Sequence, residues 1–250
     1  MPAAKDIYYF DQYYQRGMSW YESFFKDAGE AIAIGEVSHD YLYSSDALHR
    51  IRSELGDVKL VMCLRDPIQR AHSAYLFMKR NGTTKQGFRD TLLENPNILE
   101  RGLYSRYVEE SRELFGAERV KVFIFDDLQY DPRQLAKELY RFIGVDDAFD
   151  YRKAEEKVLP ASAARVQVFA TIAKKGARLV RKLGYPGLVG RLKDSKLNAL
   201  LYKPLERETD AISDSDQEWL RGYYENDVVA LESLLGIRLP AWLKAAGARS

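Results

Sequence analysis

The sequence predicts an α/β fold, a three-layer arrangement in which helices flank a parallel sheet. Three observations carry this. Apolar runs of strand length at residues 31–35, 58–64 and 120–125 alternate with stretches of helical periodicity. The second and third runs are each followed within a few residues by an Asp-Pro pair, Asp66-Pro67 and Asp131-Pro132. Proline at the first helical position lacks only an N–H that would have no partner there, so each pair opens a helix. Finally, 250 residues at 46% hydrophobic content supply one substantial core. A single domain over 1–250 is therefore expected, with a basic helical segment at about 165–205.

In chain order, residues 31–35 (Ala-Ile-Ala-Ile-Gly) read as a short buried strand and 43–55 as a helix, closed by a turn at Gly56-Asp57. Residues 58–64 are the second strand and 67–80 the helix after it. Gly82 to Gly87 form a loop, 88–93 and 105–114 are helices, and 120–125 is the third strand. The helix from Pro132 runs to Phe142 and stops at Gly144. The stretch 165–203 reads as helices broken at Gly184-Tyr-Pro-Gly187. Ser213 or Asp214 caps a last helix that ends at Leu235-Gly236, and Trp242 packs back on the body.

Charge and cysteine content narrow the function classes. The net charge is +1, which argues against nucleic acid as a partner of the whole surface. Charge is uneven, however: residues 165–203 hold ten basic side chains against one acid, Asp194, a net of +9. That segment is read as a solvated helix face or as a peripheral contact for an anionic glycan or membrane surface. The lone Cys63 sits inside an apolar run and cannot form an internal disulfide, which fits a reducing, cytoplasmic location. No run reaches membrane-spanning length, and the first residues are polar rather than leader-like. His49 and His72 lie in predicted helices without metal-ligand spacing, so no metal is expected, and His39 is read as a loop residue near substrate.

The feature with most chemical content is the junction of the second strand with its helix. Arg65 closes the strand, and Asp66-Pro67 starts the helix. Ligands of open α/β sheets bind at the carboxyl ends of strands, and a helix N-terminus favours an anion. Ser73 lies two turns into that helix, where its hydroxyl would join Arg65 on one phosphate.

Leu64-Arg65-Asp-Pro-x-x-Arg70-x-x-Ser73-x-Tyr75 resembles the 3′-phosphate-binding motif of sulfotransferases that use 3′-phosphoadenylyl sulfate (PAPS). Other motifs fall in the order of the carbohydrate, heparan-sulfate-type branch. They include Lys5-Asp6-Ile-Tyr8-Tyr-Phe-Asp11 with Arg16-Gly17-x-x-Trp20-Tyr21, and Gly35-Glu36-x-Ser38-His39-x-Tyr41-Leu42. Arg101-Gly102-x-Tyr104, Phe125-x-Asp127-Leu128, Phe142-Ile-Gly144-Val145 and the Leu231-to-Trp242 close follow. The resemblance covers nearly the whole chain and is weakest between 150 and 210.

This resemblance implies the phosphate-loop-NTPase-like sulfotransferase fold and transfer of a sulfuryl group from PAPS to a hydroxyl or amine of a carbohydrate or other small acceptor. Arg65 and Ser73 would bind the 3′-phosphate, with Arg165 as a further nucleotide contact. Asp6 would be the base and Lys5 would bear on the sulfuryl oxygens or substrate. Glu36, Arg101 and Tyr104 would lie near the acceptor, and Tyr13, Tyr14, Trp20, Tyr21, Tyr41 and Tyr43 are candidates for a substrate wall. Three positions depart from the pattern. Asp6 stands where the family has glutamate, and His39 where it has proline; the family histidine falls on Tyr8, which is no base at neutral pH.

A strand, a Gly-x-x-Lys-x-Gly-Thr-Thr loop and a helix precede these motifs in the family, so the expectation is an N-terminally truncated fold, from a shortened gene or a misplaced start. Lys79-Arg-Asn-Gly82-Thr83-Thr84 is a partial match, but it follows a helix where a phosphate loop needs a strand. An alternative reading is an inactive family member that binds anionic ligands or membrane surfaces. A nucleotide kinase is disfavoured by the lack of Gly-x-x-x-x-Gly-Lys-[Ser/Thr].

Overall fold

The parallel ladder between two strands organises the part of the chain that the sequence marked out. A computed structural model describes residues 2, 6–148, 162–164, 202–204 and 211–243. Its elements are α1 (Tyr9–Gln12), α2 (Met18–Glu22), α3 (Ser45–Leu55), β1 (Leu60–Leu64), α4 (Pro67–Arg80), α5 (Phe88–Glu94) and α6 (Pro96–Glu100). They continue with α7 (Ser105–Phe115), β2 (Val120–Ile124), α8 (Phe125–Tyr130), α9 (Pro132–Ile143), β3 (Ser162–Ala164), β4 (Tyr202–Pro204) and α10 (Asp214–Leu235). The chain divides into two compact units, residues 1–56 with 136–207, and residues 57–135 with 208–250.

In the 57–135/208–250 unit, β1 and β2 pair in parallel with Leu60 opposite Val120 and Leu64 opposite Ile124. Parallel strands cannot be joined by a tight turn, and the crossover here carries α4 to α7. Met62, Leu64, Val120, Phe123 and Ile124 are buried, as expected of strands covered by helices. The central helix α10 is buried along Leu220, Tyr224, Val228 and Leu231, a stripe at helical spacing. Ser213 caps it by accepting from the Asp216 N–H, and Gly236 ends it in the left-handed conformation at φ 68°. Trp242 is buried with its ring 6.1 Å from that of Tyr104.

The other unit is built on aromatic packing. Tyr9 and Phe10 on α1 are buried, with the Tyr9 ring stacked on Tyr21 at 5.0 Å and Phe10 edge-on to Tyr41 at 5.7 Å. Ala47, Leu48 and Ile51 of α3 complete this core. Ser44 caps α3 by accepting from the Ala47 N–H at 3.1 Å.

Three expectations change. Residues 31–35 form no strand: Ile32 is 88% exposed and no ladder is described for the segment. An apolar run becomes a strand only where a neighbour pairs with its backbone, and none does among the described residues. Residues 202–203, read as the end of a helical stretch, lie in β4, antiparallel to β3; Pro204 cannot continue a helix. The rest of 165–201 lies outside the described residues, so the helices expected there are not assessed. The strand expected at 120–125 stops one residue early, because Phe125 begins α8. Gly82, at φ 66°, follows the end of α4, so Lys79 to Thr84 is a helix terminus and not a strand-to-helix phosphate loop. Among the described residues no helix is long and apolar enough to cross a membrane.

Two carboxylates set helix starts in the strand-bearing unit. Asp227 on α10 accepts from the Tyr104 N–H at 2.7 Å, the Ser105 N–H at 3.1 Å and the Ser105 hydroxyl at 2.5 Å. It thereby satisfies the otherwise unpaired donors at the start of α7. Asp227→Ala is expected to cost about 2–4 kcal/mol and to lower the melting temperature by roughly 5–10 °C, read by calorimetry. Asp66 caps α4, accepting from the Ile68 and Gln69 N–H groups at 2.8 and 3.3 Å. Burial pushes its carboxyl up to about 6, with the Asp126 charge adding and the two N–H bonds and Arg65 opposing. The folded chain thus holds a proton that the unfolded chain releases, and stability from this group falls as pH rises from about 4 to about 6. Asp66→Asn keeps a capping side chain and removes the ionisation. It is expected to flatten that fall and to stabilise the protein at pH 7 by as much as about 3 kcal/mol, measured by urea unfolding across the window.

Candidate functional site

The strand-end site lies in the 57–135/208–250 unit and follows from the ladder. Because Leu64 faces Ile124 in register, the residues that leave the two strands emerge side by side. The Arg65 guanidinium carbon lies 5.3 Å from the centre of the Phe125 ring, a cation–π distance. The Tyr104 hydroxyl donates to the Arg65 carbonyl at 2.9 Å, which fixes the backbone from which that guanidinium extends. Arg65 forms no ion pair within 4 Å among the described residues, and its charge opposes the rise at the Asp66 carboxyl that caps α4. Ser73 is exposed on α4, two turns and about 10 Å along the axis from Asp66. An anion lying over that first turn would meet the guanidinium and the helix N-terminus.

Tyr104 and Arg101 sit differently from one another. Tyr104 is 2% exposed and spends its hydroxyl on the Arg65 carbonyl, so it shapes the anion site from behind. Arg101 is half-buried at the end of α6. Arg70, part of the same motif, donates to the Ile98 carbonyl and ties α4 to α6. Phe125 was not among the candidate site residues; its signals were its place at the end of a predicted strand and in the Phe125-x-Asp127-Leu128 motif.

The second cluster belongs to the 1–56/136–207 unit. Glu36 is sunk among hydroxyls: Ser38 donates to it at 2.8 Å. Burial raises its carboxyl, while Ser38, Tyr21 and Tyr41 oppose the rise by hydrogen bonding. Desolvation and the Glu36 charge push the Tyr21 and Tyr41 hydroxyls upward in turn, so all three hold their protons more firmly than in water. Asp6 lies beside this loop. Its N–H donates to the Val37 carbonyl at 2.8 Å, and its carboxylate meets His39 Nδ1 at 2.8 Å. Lys5 and Arg165 lie outside the described residues.

Arg65 thus stands at the strand–helix junction with Ser73 two turns along the helix that follows, and Asp6 lies beside the loop that carries Glu36. Tyr21 and Tyr41 are core residues around Glu36, and Trp20 and Tyr13 stack with Arg16, whose guanidinium carbon lies 5.1 and 5.5 Å from their rings. Tyr14 donates to Glu54 at 2.6 Å. Among the described residues no group of His, Cys, Asp and Glu is arranged to hold a metal ion.

Comparison with known proteins gives these features a family. The chain is similar to bifunctional heparan sulfate N-deacetylase/N-sulfotransferase 1 of Xenopus laevis, at 24% identity over 95% of this chain and 26% of that protein. It is similar to the membrane-associated sulfotransferase kil1 of Dictyostelium discoideum, at 31% identity over 44% of this chain and 26% of that protein. The chain thus spans about a quarter of the length of these relatives. Among solved structures, a sulfotransferase from Alicyclobacillus acidocaldarius superposes with a TM-score of 0.68 at 20% identity, covering 97% of this chain and 87% of that one. That likeness establishes the α/β sulfotransferase fold. The family model for the sulfotransferase domain matches residues 6–160, which span the strand-end site and the Asp6 loop alike, and the chain belongs to the sulfotransferase family.

Proposed function

We propose that this protein transfers a sulfuryl group from PAPS to an amine or hydroxyl of a sugar. The observation that carries the reading is the strand-end site. Arg65 stands beside Asp66 at the N-terminus of α4, with Ser73 two turns on. A phosphate monoester fits this arrangement better than a carboxylate does. It offers several acceptor oxygens to guanidinium and hydroxyl donors, and its charge suits the helix N-terminus. Phe125, in contact with Arg65, adds an apolar face beside the charge. The donor supplies an activated sulfuryl group; the residues of this chain hold its 3′-phosphate and take the acceptor's proton.

A sugar acceptor is supported by the heparan sulfate sulfotransferases among the relatives and by the polar lining of the Asp6 loop. Glu36 and the two tyrosine hydroxyls around it offer donors and acceptors of the kind that sugar hydroxyls need. Asp6 is the group to which the acceptor proton passes.

Adenosine 3′,5′-bisphosphate, the nucleotide left after transfer, tests the reading directly. At a hundredfold excess over its dissociation constant it should stabilise the chain by about 2.7 kcal/mol, visible as a rise in melting temperature. Arg65→Ala should abolish the rise, Ser73→Ala should reduce it, and adenosine 5′-phosphate should give little. No rise with the bisphosphate, or an equal rise in Arg65→Ala, would overturn the assignment of the site.

A further inference from the structure

The first turn of α4 has no amide left for a ligand. Pro67 carries no N–H. The Ile68 and Gln69 N–H groups both donate to Asp66 Oδ1, at 2.8 and 3.3 Å. The Arg70 N–H donates to the Asp66 carbonyl at 2.8 Å. The groups that a helix start ordinarily turns toward an anion are thus absent or already bonded. An anion held at this edge by Arg65 finds no hydrogen bond within that turn and needs donors outside it.

Asp66 itself can be one. Both of its capping bonds fall on Oδ1, and Oδ2 has no hydrogen-bond partner among the described residues. A proton on this carboxyl therefore belongs on Oδ2, where it displaces neither capping bond. The surroundings favour keeping it there. Burial penalises the ionised form, the Asp126 charge adds to that penalty, and Arg65 opposes it. Asp126 approaches from α8, where it accepts from the Trp242 indole at 3.4 Å, and Arg65 closes β1. Other ionisable groups on the elements around this edge have their own partners. Arg70 donates to the Ile98 carbonyl, Tyr224 donates to the Leu99 carbonyl, and Asp227 holds the start of α7. His72 packs on Tyr75 and Phe88, and burial with the Asp126 charge keeps the Cys63 thiol neutral.

Given that this edge holds the 3′-phosphate of the nucleotide, on which the assignment rests, we propose that Asp66 binds that phosphate as a neutral acid. Its Oδ2–H donates to one phosphate oxygen while the Arg65 guanidinium meets the others, and the nucleotide enters the site together with one proton from solvent. The ionised carboxylate would instead set a negative charge against a dianion and offer it no donor. The bound phosphate in turn favours the acid form, so binding and proton uptake reinforce each other.

Calorimetric titration of the full chain with adenosine 3′,5′-bisphosphate, repeated in buffers of different ionisation enthalpy, counts the protons taken up. The Asp66 carboxyl of the free chain is pushed up to about 6, so at pH 7 it is about nine-tenths ionised. A further rise of about one unit on binding predicts uptake of about 0.4 proton at that pH. Arg65 favours the phosphate dianion, so the ligand itself takes up none. Asp66→Asn keeps the capping oxygen and carries an NH2 donor with no proton to gain. It should abolish the uptake and bind the bisphosphate about tenfold more tightly than wild type at pH 8, a gap that narrows to about twofold at pH 6. The ligand's own titration is common to both chains and cancels in that ratio. Asp126→Asn, which leaves Asp66 in place, should keep the uptake with its maximum moved to lower pH. No uptake by wild type, equal uptake by Asp66→Asn, or equal affinity of the two chains at pH 8 would overturn the role of Asp66 while leaving the phosphate at Arg65. Failure of the wild-type chain to bind the bisphosphate at any pH would overturn the site itself, and with it the proton.

Discussion

The in-register parallel pairing of β1 with β2 is the constraint on which the strand-bearing unit depends. Setting Leu64 opposite Ile124 makes both strands end at one level, so Arg65, Asp66, Phe125 and Asp126 converge on a single edge. Three longer-range contacts then hold that edge in place. Asp227 of α10 ties down the first residues of α7. Tyr104, fixed by that tie, reaches the Arg65 carbonyl. Trp242 packs on Tyr104 and donates to Asp126 at 3.4 Å. A carboxylate near the C-terminus is thereby coupled to the backbone of an arginine that follows the first strand. A loss at Asp227 would be felt at Arg65 as misplacement, which matters because a guanidinium that must meet a phosphate tolerates little error in its origin.

The same edge concentrates charge of both signs. Asp66 must be close to the α4 amides to cap them and is therefore close to Arg65, and Asp126 approaches from the end of β2. Burial penalises this crowding, and Asp66 answers by holding its proton toward pH 6. A neutral Asp66 caps less well but repels an incoming anion less. The cost in stability and the ease of receiving a phosphate thus arise from one arrangement, a conflict commonly met where a binding site is built into a fold.

Much of this was legible in the sequence, and the exceptions have physical reasons. Arg65-Asp66-Pro67 could be read because a cap and an N1 proline are local chemistry, decided within three residues. Ser213 and Gly236 were legible at the ends of α10 for the same reason. Residues 31–35 misled because strand formation belongs to the partner as much as to the run itself. Tyr104 was read as lying near the acceptor from the motif it shares with Arg101, and its burial could not be read there because it is fixed by α10 and Trp242, more than a hundred residues away. The link between Asp227 and α7 spans over 120 residues and has no local signature at all.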